Sequence, residues 1–394
     1  MSDASAVSAD PDWLRSKPGL KWATAAPDVL PAWVAEMDFA VPPPVRQVLT
    51  DFAAIGDLGY PAWMEGSGTP LREAFRDRMT ARYDWSPDPA HVREFTDLNQ
   101  ALQAVLHVAT EPGDAVAMHV PGYPTFLRAV PKMGRRLIPV PLHRDEDGWS
   151  SDADCLDAAV TASGARTLIL VNPNNPVGRV LTRSELSAIA TVAEARDLLV
   201  ISDEIHADLT YAPAVHIPFA SLSADAQART VTMTSASKAF NIAGACCAVA
   251  YVGSERVRDG LDRLPPDLLG RLGAVGVAAT LAAWREGDPW LAAVLETLSA
   301  NRDVLGAALP KDIGYVPPEA TCLAWLDCRS LGLSDPADFF LRKAGVDLIS
   351  GSSFGTFGEG FVRLNFGTTP AILTEICARM TEAVTSLGQR PCEP

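Results

Sequence analysis

The chain has 394 residues, of which 48% are hydrophobic and 21% charged, and 33 basic against 48 acidic side chains give a formal net charge of −15. Such a balance argues against a nucleic-acid partner, whose binding draws on basic surface, and against an anionic membrane face. The length suffices for one large or two unequal domains, and the composition is that of an ordinary soluble enzyme.

The opening stretch Met1–Asp10 is small and acidic, without the basic and apolar regions of a signal peptide. The longest apolar run, Gly273 to Trp284, falls short of the ~20 residues that span a bilayer. Seven cysteines without a C-x-x-C pair read as buried free thiols, not as a metal site or a disulfide framework. A cytoplasmic protein is expected.

Residues 11–45 are rich in Trp and Pro and sustain no helical or strand period, so residues 1–45 read as an arm wrapping the body. Within it, Leu30-Pro-Ala-Trp-Val-Ala-Glu-Met-Asp-Phe39 is apolar enough to be buried, and Glu36 and Asp38 would then need partners. A first helix is expected over Pro44–Ile55, followed by a turn at Gly59-Tyr60-Pro61. From Asn99 a helical pattern runs to about Thr110, and short apolar strands then alternate with amphipathic helices. The strands are Ala115–His119, Arg136–Leu142, Thr167–Val171, Leu198–Ser202, Val231–Thr234 and Cys246–Val252. The helices include Pro124–Lys132, Asp152–Ala162 and Thr182–Arg196, the last opening on the capping box Thr182-Arg-Ser-Glu185. This alternation predicts an α/β domain with a mostly parallel sheet covered on both faces, assigned to 46–285. After Pro265-Pro266 come helices over Leu268–Arg285 and Trp290–Ala308. Fewer strands, at Thr321–Cys328 and Gly360–Asn365, then interleave with helices at Asp335–Ala344 and Ala371–Leu387. A smaller α+β domain is expected over 286–394.

In open α/β sheets ligands bind beyond the carboxyl ends of the parallel strands. The residues there are Pro121-Gly-Tyr-Pro124, Asn172-Pro-Asn-Asn-Pro-Val-Gly178, Asp203-Glu-Ile-His206 and Ser235-Ala-Ser-Lys238. Lys238 has small and hydroxyl neighbours, which leave its amine approachable and offer donors to an anion, as a Schiff-base lysine for a phosphorylated aldehyde requires. Asp203 ends a strand that looks buried, where a carboxylate is costly unless matched to a cation such as a protonated pyridine nitrogen; the plainer reading is a helix cap. Asn175 offers an amide on a rigid turn, Tyr123 a ring for a flat heterocycle, and Asn99 and Gln100 backbone N–H groups for a phosphate. Arg363 sits among apolar residues in Phe361-Val-Arg-Leu-Asn365 and needs an anion, for which an internal Asp or Glu is the usual candidate and a bound carboxylate the functional one.

Asn175-Pro-Val-Gly, Asp203, Ser-Ala-Ser-Lys238 and Arg363 resemble the fold-type I pyridoxal-phosphate enzymes. More narrowly, Trp33-Val-Ala-Glu-Met-Asp-Phe39, Ser202-Asp-Glu-Ile-His206, Ser237-Lys-Ala-Phe-Asn-Ile242 and Gly360-Phe-Val-Arg-Leu-Asn365 resemble the MalY/PatB group of cystathionine β-lyases, over most of the chain. The resemblance implies pyridoxal 5'-phosphate as cofactor, bound covalently by Lys238. It places Asp203 on the ring nitrogen, Asn175 on the ring oxygen and Tyr123 on the ring face. Ser235 and Ser237 would hold the phosphate, with Asn99, Gln100 and Tyr60 of a second subunit, so a homodimer is implied. Arg363 would take the α-carboxylate of an amino-acid substrate, beside Trp33 and Asp38. His206 stands where related aminotransferases usually carry tyrosine, which favours C–S elimination from L-cystathionine or another L-cysteine S-conjugate over transamination. An aminotransferase, a decarboxylating variant or a catalytically idle binding protein are the alternatives. Ser350-Gly-Ser-Ser-Phe-Gly355 replaces a Pro-Gly-containing loop of the group, and the thiol side of the substrate stays open.

Overall fold

The computed structural model describes residues 11–65, 68–145, 148–265 and 268–388. The first ten residues of the expected arm, Pro266, and the end of the C-terminal segment with Cys392 lie outside them.

Seven strands form the central sheet. Their spatial order is Val92–Phe95, Ala248–Val252, Thr230–Thr234, Leu199–Asp203, Thr167–Val171, Ala115–Val120 and Arg136–Pro141. Neighbours from Thr230–Thr234 through to Arg136–Pro141 run parallel. The central strands Thr167–Val171, Leu199–Asp203 and Thr230–Thr234 are buried at every position, as expected for a sheet covered on both faces. Ala248–Val252 runs antiparallel to both its neighbours, because no crossover helix separates it from Thr234. Val92–Phe95 carries too little strand signal to be read from sequence and is added at the edge. A second sheet has the order Gly314–Tyr315, Leu323–Asp327, Phe361–Asn365, Ile349–Ser350, with antiparallel neighbours.

Helix Pro43–Ile55 starts on prolines, whose missing N–H costs nothing in a first turn, and stops at Gly56 in the left-handed region (φ 72°). The capping box at Thr182 forms as expected, each partner bonding the other's backbone. The helix expected from Leu268 begins only at Ala274 and runs to Glu286, since Gly270 (φ 71°) and the extended Gly273 hold the preceding segment out of it. Six described cysteines are free; Cys246 is exposed, against the expectation of burial, because its residue turns left-handed (φ 48°) just before the strand.

The arm is threaded through the molecule by main-chain bonds. Leu30–Pro31 pairs in parallel with Val346–Asp347. Asn241 Oδ1 accepts from Met37 N at 2.9 Å, while its Nδ2 donates to the carbonyls of Met37 and Phe39 at 2.9 and 2.8 Å. Asn365 Nδ2 donates to the carbonyls of Val34 and Glu36. Two amides therefore fix the path of 34–39, one from the segment after Lys238 and one from the strand of Arg363.

Asp38 is 1% exposed and meets Lys21 Nζ at 2.9 Å, with Lys21 also 1% exposed, while Trp22 Nε1 donates to Asp38 Oδ1 at 2.6 Å. Removing the cation would leave a buried carboxylate unmatched. Lys21→Met is therefore expected to cost ~3–5 kcal/mol of folding free energy, read from urea midpoints. A loss below about 1 kcal/mol would show that Asp38 can shed its charge or reach water.

Candidate active site

The loops after Val120, Val171, Asp203 and Thr234 leave the same end of the sheet and meet the strand of Arg363 and the arm around one cavity of about 770 Å³. That size suits a cofactor together with a small substrate. Lys238, Asp203, His206, Ser235 and Ser237 line it from the large sheet's loops. Tyr123, Asn175 and Asn99 line it too, as do Trp33 and Arg363.

Arg363 is 3% exposed. Its Nη1 donates to Asn175 Oδ1 at 3.0 Å and its Nη2 to the Trp33 carbonyl at 2.7 Å, and its Nε is buried without a partner. The internal carboxylate that would normally accompany such a residue is missing: among the described residues no ion pair reaches it. Burial pushes the guanidinium down to about 10, still charged at neutral pH. The cavity thus holds a buried cation bonded only to neutral oxygens, a natural seat for a carboxylate. By accepting from Arg363, Asn175 Oδ1 also leaves its own N–H groups to face elsewhere in the cavity.

Lys238 Nζ donates to the Ala35 carbonyl at 2.9 Å. Burial lowers its pKa first, and Arg363 adds repulsion, while Cys322, Glu36 and Asp203 pull the other way. A buried amine with a lowered pKa is a competent nucleophile and base. Asp203 Oδ1 accepts from Ile205 N at 3.1 Å in a local turn, but it caps no helix, since the next short helix, Ala207–Leu209, opens on His206. That bond does not offset burial, which raises the carboxyl to about 7. His206 moves oppositely, to about 3, through burial and the repulsion of Lys238 and Arg363, and its Nδ1 is buried without a partner.

These groups fit pyridoxal phosphate. A protonated ring nitrogen is the cation that would return Asp203 to the ionised form, Lys238 is placed to bond the aldehyde, and Tyr123 offers a ring face. Where the resemblance implies the phosphate, Ser235 Oγ donates its one proton to the Cys247 carbonyl at 2.7 Å and accepts from Ser237 N at 3.0 Å, which fixes the turn but leaves Ser235 no proton for a phosphate in this arrangement.

The two opposed shifts make a pH prediction for the cofactor-free protein. Asp203 keeps its proton to about 7 when folded but loses it near 3.8 when unfolded, so its contribution to stability falls as pH rises between those values. His206 stays neutral down to about 3 when folded but protonates near 6.5 when unfolded, so its contribution rises with pH over that window. Between about 4 and 6.5 the two slopes oppose each other. Asp203→Asn is expected to leave the histidine slope uncompensated, and Tm should climb more steeply with pH than in the wild type. Equal slopes would contradict the raised Asp203.

Three expected site residues lie elsewhere. Gln100 does not line the cavity: its N–H is taken by Asp97 Oδ1 at 2.8 Å, the true helix cap, and its side chain bonds Thr96 N and the Leu269 carbonyl. Asp38 lies behind the arm on Lys21 and Trp22, where no substrate reaches it. Tyr60 is 92% exposed and absent from this chain's own cavity, its implied role belonging to a second subunit. Conversely, Arg128, Asp347, Ser350 and Ser353 line the cavity and were not singled out as site residues, since a charged residue on a helix or strand end reads as surface. Asn241 and Asn365, which hold the arm over the site, lie inside the motifs already quoted, but their partners are two hundred residues or more away in sequence.

The family of class I and II aminotransferases matches residues 66–380. The chain is 33% identical to the cystathionine beta-lyase PatB of Bacillus subtilis over 364 residues, covering 91% of this chain and 93% of that protein. It superposes on the crystal structure of OvoB with a TM-score of 0.90 at 36% identity, covering 97% and 99% of the two chains. The pyridoxal-phosphate-bound C-S lyase of Staphylococcus hominis gives a TM-score of 0.86 at 27% identity, covering 94% and 97%.

Proposed function

The chain belongs to the class I and II aminotransferase family, and from that premise we propose that it is a pyridoxal-phosphate-dependent C–S β-lyase, converting an L-cysteine S-conjugate to a thiol, pyruvate and ammonia. The observation that carries the reading is the pair Arg363 and Lys238 in one cavity: a buried cation that no carboxylate among the described residues pairs, beside a buried amine whose pKa is lowered.

When bound, pyridoxal phosphate supplies a conjugated ring that takes up the electron pair left when the Cα–H bond breaks. Arg363 would receive the substrate α-carboxylate in a two-pronged contact and so fix how the substrate is turned about Cα. With the carboxylate held by Arg363, the hydrogen is the group presented to Lys238, which disfavours decarboxylation. Lys238 Nζ, whose pKa burial lowers, would accept that proton. Asp203 would meet the ring nitrogen as a carboxylate and hold that nitrogen's proton in place. The Cβ–S bond then breaks and sulfur departs with its electron pair. A thiol pKa near ~8.5 makes it a leaving group that needs no strong acid. Water converts the released aminoacrylate to pyruvate and ammonia.

His206 supports elimination as the outcome. It is neutral, buried and at the cavity wall, in the position where the resemblance places a tyrosine in aminotransferases. The test is incubation of the holoenzyme with L-cysteine S-conjugates in the absence of any keto acid. Pyruvate and thiol in equal amounts are expected; product formation that requires an added keto acid would establish an aminotransferase instead.

A homodimer belongs to the same reading. Tyr60 stands free at the surface, and in a twofold pair a second subunit could bring it to the phosphate end of the cavity. Sedimentation of the holoenzyme as a monomer would end that proposal. Free cysteines and a lack of any helix long and apolar enough to cross a membrane among the described residues are compatible with a cytoplasmic location.

A further inference from the structure

Arg363 belongs to the second sheet and Asn175 to a loop of the central one, so their 3.0 Å bond crosses from one to the other. Such a bond forms only if the two backbones behind it are held in register. Residues 318–321 do this, wedged between the loop of Asn175 and the turn after His206.

On one side, the Gly178 carbonyl accepts from Glu319 N at 2.9 Å and from Ala320 N at 3.0 Å. The chains come so close that a Cβ on Gly178 would lie 2.3 Å from Pro318 Cβ, and its φ of 72° also favours glycine. On the other side, Tyr211 N donates to the Glu319 carbonyl at 2.8 Å and Thr321 N to the Leu209 carbonyl at 3.0 Å. Leu209 N in turn donates to the His206 carbonyl at 2.9 Å. Two residues beyond Thr321 the strand Leu323–Asp327 begins, and its Trp325 stands opposite Arg363. A closed ring of contacts results, from Asn175 through Gly178, residues 318–321, Trp325 and Arg363 back to Asn175.

An ion pair fastens this ring from behind. Arg179 Nη1 lies 2.7 and 2.6 Å from the two oxygens of Glu319, and Glu319 Oε2 also accepts from Val180 N at 2.8 Å. Arg179 Nη2 donates to Glu185 Oε2 at 2.9 Å, in the capping box of the following helix. The Arg179 main chain belongs to the same turn as Asn175, because Asn174 N donates to the Arg179 carbonyl at 2.9 Å. Neither Arg179 nor Glu319 lines the cavity. Their side chains are 19% and 38% exposed, and an ion pair that wet adds little to stability. What it can fix is direction, since a planar guanidinium admits few arrangements of two carboxylates around it.

We propose that Arg179 and Glu319 are positioning residues for the α-carboxylate site, setting Asn175 Oδ1 against Arg363 across the seam between the two sheets. A shifted Asn175 loop would release Arg363 Nη1 and turn the guanidinium away from the carboxylate it receives. The effect on turnover rests on the lyase reading above, and the effect on binding only on Arg363 as the carboxylate seat.

The test reads Kd by calorimetry in the Lys238→Ala protein loaded with pyridoxal phosphate, for an L-cysteine S-conjugate and for its decarboxylated analogue. Glu319→Leu is expected to weaken the amino acid about tenfold and to leave the analogue within about twofold. Arg179→Met should match it, and the double variant should lose no more than either single one, because all three break one contact. In an Arg363→Gln background Glu319→Leu should cost nothing further. Glu319→Gln, which keeps an acceptor for Val180 N and Arg179, should stay within about threefold of the parent. Where Glu319→Leu fails to fold, Arg179→Lys takes its place. A lone ammonium cannot span Glu319 and Glu185 together, so the same selective loss is expected at about threefold. Unchanged affinity, equal weakening of both ligands, additive losses, or a further loss behind Arg363→Gln would each overturn the proposal. The expected Kd pattern without pyruvate from the wild-type holoenzyme would sink the lyase reading and keep the positioning pair. Pyruvate with a flat Kd pattern would do the reverse.

Discussion

Lys238→Ala is expected to lower pyruvate release from any L-cysteine S-conjugate by about 10⁴-fold or more, because one side chain performs two tasks. It attaches the cofactor covalently, and it is the base that takes the Cα proton. The amine is suited to both because burial lowers its pKa, and because its hydrogen-bond partner is a carbonyl and not a carboxylate. Borohydride reduction followed by mass spectrometry reads the first task separately: the wild type should gain the mass of the reduced cofactor on the peptide carrying Lys238, and the variant should gain none. Lys238→Arg keeps the charge and should fail in both measurements. Turnover by Lys238→Ala above about one-hundredth of wild type would remove the lysine from proton transfer.

The second large effect belongs to Arg363. Arg363→Gln should reduce kcat/KM by about 100-fold or more, corresponding to loss of a desolvated, two-pronged contact to a carboxylate. Lysine should not rescue it, since a single ammonium cannot hold Asn175 Oδ1, the Trp33 carbonyl and the substrate together. The discriminating control is a decarboxylated analogue of the same conjugate, a weak ligand of the wild-type holoenzyme. Its affinity should hardly change on Arg363→Gln, whereas that of the amino acid falls. Equal loss for both would mean that the arginine merely supports the arm and Asn175.

Much of this architecture was legible in the sequence for identifiable reasons. The runs Leu168–Val171 and Leu198–Ile201 are continuously apolar, which is what a strand buried on both faces demands. Punctuation by Gly, Pro and capping residues then located the loops where ligands bind. Asp203 and Arg363 stood out because charged groups in apolar surroundings require a partner, Lys238 by its small and hydroxyl neighbours and Asn175 by its rigid turn, and the four come together around one cavity. Gln100 and Asp38 were misplaced for a related reason: each needs a partner too, and each finds one inside the chain, on Leu269 and Thr96 or on Lys21 and Trp22.

By itself, then, the sequence determined the parallel α/β frame, the lysine and acid at its strand ends, and the kind of cofactor they suit. These follow from local periodicity and from the cost of burying charge. Only the tertiary structure decided which partner each buried group takes. It withheld a carboxylate from Arg363, supplied a cation to Asp38, and laid the arm's carbonyls on Lys238 and Arg363. Those outcomes depend on contacts between residues up to 330 positions apart. No local pattern encodes such distances, because they are set by how the arm, the two sheets and their loops pack together.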